Sequence, residues 1–236
     1  MLSGSEKYYD DIYAATGKDY AAETKKLDEL IQKYKCIVGD TLLDVACGTG
    51  MHAGFLSRYY KITGIDVNSD MLKIARNKHP ELHVLQGDMR IFDLGQQFAI
   101  VTCLFSAIGY MTTKADLEKA IKNMSRHLLP GGVLLIEPWF TPEQWQVGHV
   151  STVQVDKPDK KIFRMSYSRK KGKCSDLDFY YLIGTSRGIQ QIKEKHLLGL
   201  FTEEEYKNAF KKAKLDVIRD PYGLDGRGIY IGTKPL

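Results

Sequence analysis

The sequence predicts an α/β fold: a mostly parallel sheet with helices on both faces, joined late in the chain by an antiparallel β layer. Three observations carry this. Apolar strand-like runs alternate with helical periodicity over about 140 residues. A glycine-rich turn, DVACGTG at 44–50, leads from the first strand into a helix. After Glu137 the period changes to two, clearest in Phe163, Met165, Tyr167 and in Leu177, Phe179, Tyr181.

Each element follows from its own pattern. Residues 19–34 read as an amphipathic helix with Leu27, Leu30, Ile31 and Tyr34 on one stripe. Residues 41–46 form a buried strand, 51–60 a helix, 61–66 a strand and 69–79 a helix capped by Ser69. Strands follow at 82–86 and 98–105. The next helix, 113–129, carries Leu117, Ile121, Met124 and Leu128, and is expected to stop at Pro130, Gly131 and Gly132 before a fifth strand at 132–137. Residues 150–200 read as an inserted antiparallel layer. A helix at 202–214 opens on the capping-box pair Thr202 and Glu205. Strands at 215–220 and 227–233 close the chain.

Composition narrows the function classes. The 236 residues are 43% hydrophobic and 27% charged, as in ordinary globular domains. No apolar run approaches the roughly 18 residues of a membrane span. The N-terminus carries no signal-peptide pattern, so the cytoplasm is expected. Four scattered cysteines form no CxxC pair, and no ligand cluster suggests a metal. The net charge of +5 is mild. Its basic concentration at 157–173 reads either as a phosphate-facing patch or as a lysine-guarded hairpin edge.

The glycine-rich turn locates a ligand site. Gly48 and Gly50 permit a sharp turn and close backbone approach. The full GxGxxG pattern is absent, and no GKS or GKT follows, which excludes a P-loop. Asp66 ends the second strand, where an acid accepts hydrogen bonds from a ribose, and Asp88 follows the third, in QGDM, beside an adenine edge. Ligands of open α/β sheets bind at these strand ends.

The order DVACGTG, GID, QGDM and HLLPGG, over about residues 36–138, resembles the class I S-adenosylmethionine-dependent methyltransferases. That resemblance implies a Rossmann-like sheet whose last strand is antiparallel, with S-adenosylmethionine as cofactor. It places Ala46, Gly48 and Gly50 at the methionine end, Asp66 on the ribose, Val67 and Met71 beside the adenine, and Asp88 and Met89 on its edge. Asp44 would orient the loop and the amino group, and Phe105 joins the cofactor-binding set. His52 either touches the cofactor's carboxylate or lies on a helix surface. His127, in RHLLPGG, reads as structural, at a helix C-terminus.

Further segments extend the likeness over nearly the whole chain. GKDYAAE (17–23), FSAIGYM (105–111), EPWFTPE (137–143) and GRGIYIG (226–232) resemble the N,N-dimethyltransferases acting on dTDP-linked 3-amino-deoxyhexoses in desosamine and mycaminose formation. Phe140 and Thr141 depart from that subgroup's EPWWFPE, and Asp225 replaces the serine of its SGRG. By this resemblance Tyr20 closes over the cofactor, Arg227 grips the substrate's phosphates, and Tyr110 lies near the reacting amine. A tyrosine, with an ordinary pKa of roughly 10, is a poor base at neutral pH, so Tyr110 is expected to orient the amine rather than deprotonate it. Trp139 and Phe140 line the acceptor pocket or pack the insertion on the sheet. Residues 1–138 plus 201–236 would form the cofactor domain and 139–200 a β insertion covering the substrate. The expected partner is a small molecule, either a dTDP-linked amino sugar or another small amine, carboxylate or hydroxyl acceptor, with a homodimer as assembly. Nucleic acid is disfavoured: FSAIGYM stands where a base-directed enzyme carries an Asn- or Asp-Pro-Pro-Tyr signature.

Overall fold

The structure is a computed structural model that describes residues 4–236; residues 1–3 of the expected 1–138 unit lie outside the described residues. Its first helices are α1 (Tyr9–Ala14) and α2 (Tyr20–Tyr34). Asp19 caps α2 by accepting from Ala22 N at 2.9 Å, and Leu27 and Ile31 are fully buried. Strands β1 (Thr41–Val45), β2 (Lys61–Asp66) and β3 (His83–Gln86) alternate with α3 (Met51–Leu56) and α4 (Ser69–Lys78). β4 (Phe98–Cys103), α5 (Lys114–Arg126) and β5 (Leu128–Ile136) continue the alternation.

A second sheet follows, made of β6 (Val150–Lys157), β7 (Lys160–Lys171), β8 (Cys174–Thr185) and β9 (Gly188–Gly199). The chain then returns through α6 (Glu203–Lys212) to β10 (Asp216–Asp220) and β11 (Ile229–Thr233). The seven-stranded sheet has the order β10-β11-β5-β4-β1-β2-β3. β1 to β5 pair in parallel, while β11 runs antiparallel to both neighbours. Because β1 lies between β2 and β4, successive crossovers depart to opposite sides there, and their loops separate at the carboxyl end.

Alternation along each strand feeds two cores. Leu43, Val101 and Leu134 pack with α5 and α6, whereas Leu42, Ile100 and Leu135 pack with α2, α3 and α4. A third cluster binds the N-terminal segment to the second sheet through Tyr8, Ile12, Ile162 and Tyr181. The second sheet is fully antiparallel.

Three local expectations need correction. Asn68, not Ser69, caps α4: its side chain accepts from Asp70 N and Met71 N, the geometry that satisfies orphan helix donors. The helix opening at Met51 ends at Leu56 rather than 60. α5 ends at Arg126, so Pro130, Gly131 and Gly132 belong to β5, whose register with β4 shifts between Phe98 and Ile100. His127 accounts for that end. It is buried, Leu94 N donates to its Nε2 at 3.2 Å, and its Nδ1 donates to Asn123 O at 2.9 Å.

The alternation of β7 also carries a surprise. Phe163, Met165 and Tyr167 are exposed, while Ile162, Arg164, Ser166 and Ser168 are buried. The polar set faces inward. The basic stretch 157–173 holds no free lysine edge at its start: Lys157 and Lys160 both pair with Asp11 of α1.

Thr202 and Glu205 form the reciprocal capping box at α6. Thr202→Ala is expected to destabilise the chain by about 1 kcal/mol. Urea unfolding measures this, and an unchanged midpoint would contradict it.

Candidate active site

A cavity of about 840 Å³ opens at the carboxyl ends of β1 to β5. Its walls come from four sources. The strand ends and their loops give Ala46, Gly48, Asp66, Asp88 and Phe105; the inner face of the second sheet gives Arg164, Phe179 and His196; the N-terminal segment gives Tyr9 and Tyr13; the loop after β5 gives Trp139, Phe140 and Trp145.

The β1 turn is shaped by backbone conformation. Ala46, Gly48 and Gly50 have φ of 62°, 56° and 77°, in the left-handed region. A Cβ added at Gly48 would meet nothing within 4 Å, so this backbone borders open space. Gly48 N donates to Asp66 Oδ2 at 2.8 Å, and Asn68 N donates to Asp66 Oδ1 at 2.8 Å. Two backbone donors thus fix the carboxylate at the end of β2 on the cavity wall. Burial raises the Asp66 pKa despite these bonds.

Not every expected residue reaches the cavity. Val67, Met71 and Met89 line it with Asp88, as do Tyr110 and Arg227. Tyr20, Asp44, Gly50 and His52 are not on its wall. His52, read from sequence as touching the cofactor or lying on a helix surface, is instead buried against Glu23, with Nε2 2.7 Å from Oε2. Lys18 Nζ donates to both oxygens of Glu23, at 2.6 and 2.8 Å. Lys18 also stands 4.0 Å from the centre of the Phe105 ring. Tyr20 packs edge-on against His52. This layer ties α2 to α3 behind the turn that follows β1. Asp44 is buried and accepts from Thr102 Oγ1 at 2.9 Å; burial pushes its pKa up to about 7.

The Asp88 carboxylate faces the cavity but is gripped by Arg90, with Nε 3.0 Å from Oδ1 and Nη2 2.5 Å from Oδ2. That hydrogen bond holds its pKa below the usual carboxylate range. Phe105 also adopts a left-handed backbone, φ 51°, and its N donates to Glu137 Oε2 at 2.5 Å.

The far wall is aromatic and cationic. The Trp139 and Phe140 rings meet edge-on at 4.7 Å, with Trp145 5.9 Å from each. Trp139 Nε1 donates to Ser175 Oγ at 2.9 Å, so this tryptophan both packs the second sheet and faces the cavity. Arg227 pairs with Asp225 and, at 3.3 Å, with the buried Glu137.

Relatives carry the same architecture. A family model described as "Methyltransferase domain" matches residues 42–132. The dTDP-3-amino-3,6-dideoxy-alpha-D-glucopyranose N,N-dimethyltransferase of Streptomyces fradiae is 39% identical over 226 residues, covering 95% of this chain and 88% of its own. The crystal structure of Streptomyces venezuelae DesVI superposes with a TM-score of 0.93 at 34% identity, covering 99% of this chain and 100% of that one. The chain belongs to the dTDP-amino-sugar N,N-dimethyltransferase family of S-adenosylmethionine-dependent methyltransferases. The S-adenosylmethionine-bound structure of the amino pentose methyltransferase CalS10 from Micromonospora echinaspora has a TM-score of 0.87 at 35% identity, covering 96% of each chain.

The cofactor of this methyltransferase is therefore S-adenosylmethionine, and the residues present suit it. The open space at Gly48 admits a ligand against the main chain. Asp66 offers acceptors to a diol, and Val67, Met71 and Met89 offer an apolar sleeve to a flat base. Sequence reasoning missed Tyr9, Tyr13, Arg164 and His196. The two tyrosines carry no motif, and Arg164 and His196 enter the site only through strand pairing.

Asp44 gives this methyltransferase a pH signature. A carboxyl whose folded pKa is raised binds a proton the unfolded chain has lost, so its contribution falls as pH rises toward 7. Without ligand, stability should drop between pH 5 and 8 by on the order of 2 kcal/mol more in the native protein than in Asp44→Asn, since each pKa unit is worth about 1.4 kcal/mol. Thermal unfolding across that range measures it, and parallel curves would contradict it.

Proposed function

We propose that this methyltransferase transfers methyl groups to the amine of a dTDP-linked amino sugar, and that residues 139–200 act as a cover over the acceptor. One observation carries the reading. A single cavity is lined at one side by the cofactor strand ends and at the other by Trp139, Phe140, Trp145 and Arg227. An aromatic wall suits a pyranose or base face, and a guanidinium suits a diphosphate. Nearly full-length likeness to enzymes named for such acceptors supports it.

The sulfonium of bound S-adenosylmethionine supplies an electrophilic methyl group. The protein's task is then to align a neutral amine lone pair with that carbon and exclude water. Tyr110 faces the cavity and carries a hydroxyl for orienting the amine. Burial holds its ionisation well above the usual tyrosine range, so it works as a neutral phenol. Asp66, Val67, Met71, Asp88, Met89 and Phe105 would hold the donor, with Ala46 and Gly48 at its methionine end. Tyr20, Asp44, Gly50 and His52 would support that set from behind the wall.

A second reading, a small amine, carboxylate or hydroxyl acceptor without a diphosphate, is favoured by one feature. Asp225 and Glu137 already offset the charge of Arg227. Asp225 stays below the usual carboxylate range because, against the pull of burial, Arg227 bonds it; burial pushes Glu137 up to about 7. A diphosphate must compete with Asp225 for the guanidinium.

Cys36, Cys47, Cys103 and Cys174 are free thiols, which suits the reducing cytoplasm. The outward face of the second sheet presents Phe163, Met165, Tyr167, Tyr180 and Leu182 to solvent, an apolar patch suited to a second copy. No helix among the described residues is long and apolar enough to cross a membrane.

With S-adenosylhomocysteine bound, dTDP should raise the melting temperature, Arg227→Ala should abolish the rise, and Asp225→Ser should enlarge it. No shift with any nucleotide would sink the diphosphate reading in favour of the second. Leu182→Glu should convert a dimer to a monomer in sedimentation velocity; a native monomer would remove the assembly proposal.

A further inference from the structure

Behind Tyr110 stands a chain of polar groups that amine orientation does not require. Tyr110 Oη lies 2.8 Å from His196 Nδ1. His196 Nε2 lies 3.4 Å from Glu194 Oε2, and Tyr181 Oη donates to the same oxygen at 3.1 Å. His196 is 4% exposed and Glu194 3%, although both occupy the sheet that covers the acceptor end of the cavity. An imidazole and a carboxylate buried together cost free energy that apolar side chains at the same positions would not.

The partners define the tautomer. The phenol donates to Nδ1, so Nε2 bears the hydrogen and faces Glu194. Groups of β8 lie against this pair, and groups of β7 and α1 lie beyond them. Phe179 of β8 sets its ring 5.0 Å from that of His196, and Tyr181 of β8 reaches Glu194. Arg164 of β7 lies 5.0 Å from the Phe179 ring and 5.4 Å from that of Tyr13 in α1. The carboxylates of Glu194 and Asp66 add to the rise in the Tyr110 pKa that burial imposes.

We propose that His196, backed by Glu194, accepts through Tyr110 the ammonium proton that each N-methyl transfer generates. This rests on the amine-acceptor reading above. The amine enters neutral, uses its lone pair to form the new N–C bond, and becomes an ammonium. One N–H bond then breaks and its proton passes to Tyr110 Oη, while the original Oη proton passes to His196 Nδ1. The outcome is a neutral amine, an intact phenol and an imidazolium whose charge Glu194 offsets. The nitrogen has regained a lone pair for a second methyl, and the proton returns to solvent when the cleft next opens. No phenolate forms, in keeping with the neutral state of Tyr110. Tyr110 is the group that touches the amine; His196 and Glu194 are positioning residues acting through it.

The test follows mono- and dimethyl products by timed mass spectrometry from pH 6 to 9, using the full chain, S-adenosylmethionine and a dTDP-3-amino-3,6-dideoxyhexose. His196→Gln keeps an acceptor for the phenol but cannot take the proton. Its second methylation should slow at least tenfold near pH 6.5 and less than about twofold at pH 9, where solvent base does the work, with KM and S-adenosylhomocysteine affinity unchanged. Glu194→Gln should move the same way by a smaller factor. Tyr110→Phe, on the cavity wall and independent of the buried strand, should show the pH-dependent loss of His196→Gln on top of a pH-independent loss from amine orientation, and adding His196→Gln to it should cost nothing more. Wild-type turnover with pH-independent losses in all three variants overturns the relay alone and assigns His196 a structural role. A wild type that methylates no amino sugar at any pH overturns the acceptor reading, and the relay with it.

Discussion

The hydrogen bond from Gly48 N to Asp66 Oδ2 is the constraint on which the rest of the site depends. It ties the turn after β1 to the end of β2, so the open backbone at Gly48 and the carboxylate of Asp66 face one space. The turn can make this bond because Ala46 and Gly48 adopt left-handed conformations. For Ala46 that costs about 1 kcal/mol or more. The neighbouring layer of Lys18, Glu23 and His52 holds α2 and α3 behind the turn and limits how far it can relax.

Carboxylates recur at these strand ends: Asp44, Asp66 and Glu137 are all buried, and burial raises all three pKa values. A fold selected only for stability would place apolar side chains there. Two backbone donors hold the Asp66 carboxylate and oppose the rise that burial imposes, whereas Glu137 ties Phe105 N and Arg227 together. One carboxylate thus shapes the turn after β1 and another connects β5 to the loop before β11.

The open sheet was legible because its central strands β1, β2, β4 and β5 are buried on both faces and its helices carry clear apolar stripes. The turn was legible because only certain residues tolerate its backbone. The second sheet was legible as alternation but not as orientation. Phe163, Met165 and Tyr167 alternate as a core face would, yet they point outward, because the inward face of β7 serves a polar cavity through Arg164, Ser166 and Ser168. His52 illustrates the same limit: a residue adjacent to the β1 turn in sequence is buried in a pairing with Glu23, 29 positions earlier, and is not on the cavity wall. Tyr9, Tyr13 and His196 meet at the site only after the N-terminal segment packs on the second sheet, which no local pattern encodes. The end of α5 was misplaced because Pro130 and Gly131 resemble a helix stop, although β5 already pairs with β4 at Leu128.

The central claim is that donor and acceptor meet in one cavity with the amine held at Tyr110. A crystal structure of the chain with S-adenosylhomocysteine and a dTDP-linked amino sugar tests it most directly. The account predicts ribose hydroxyls on Asp66, the sugar amine within hydrogen-bond distance of Tyr110 Oη and facing the cofactor sulfur, and the diphosphate on Arg227 with Asp225 displaced. An amine remote from Tyr110, or a diphosphate bound away from Arg227 with the Asp225 pair intact, would contradict it.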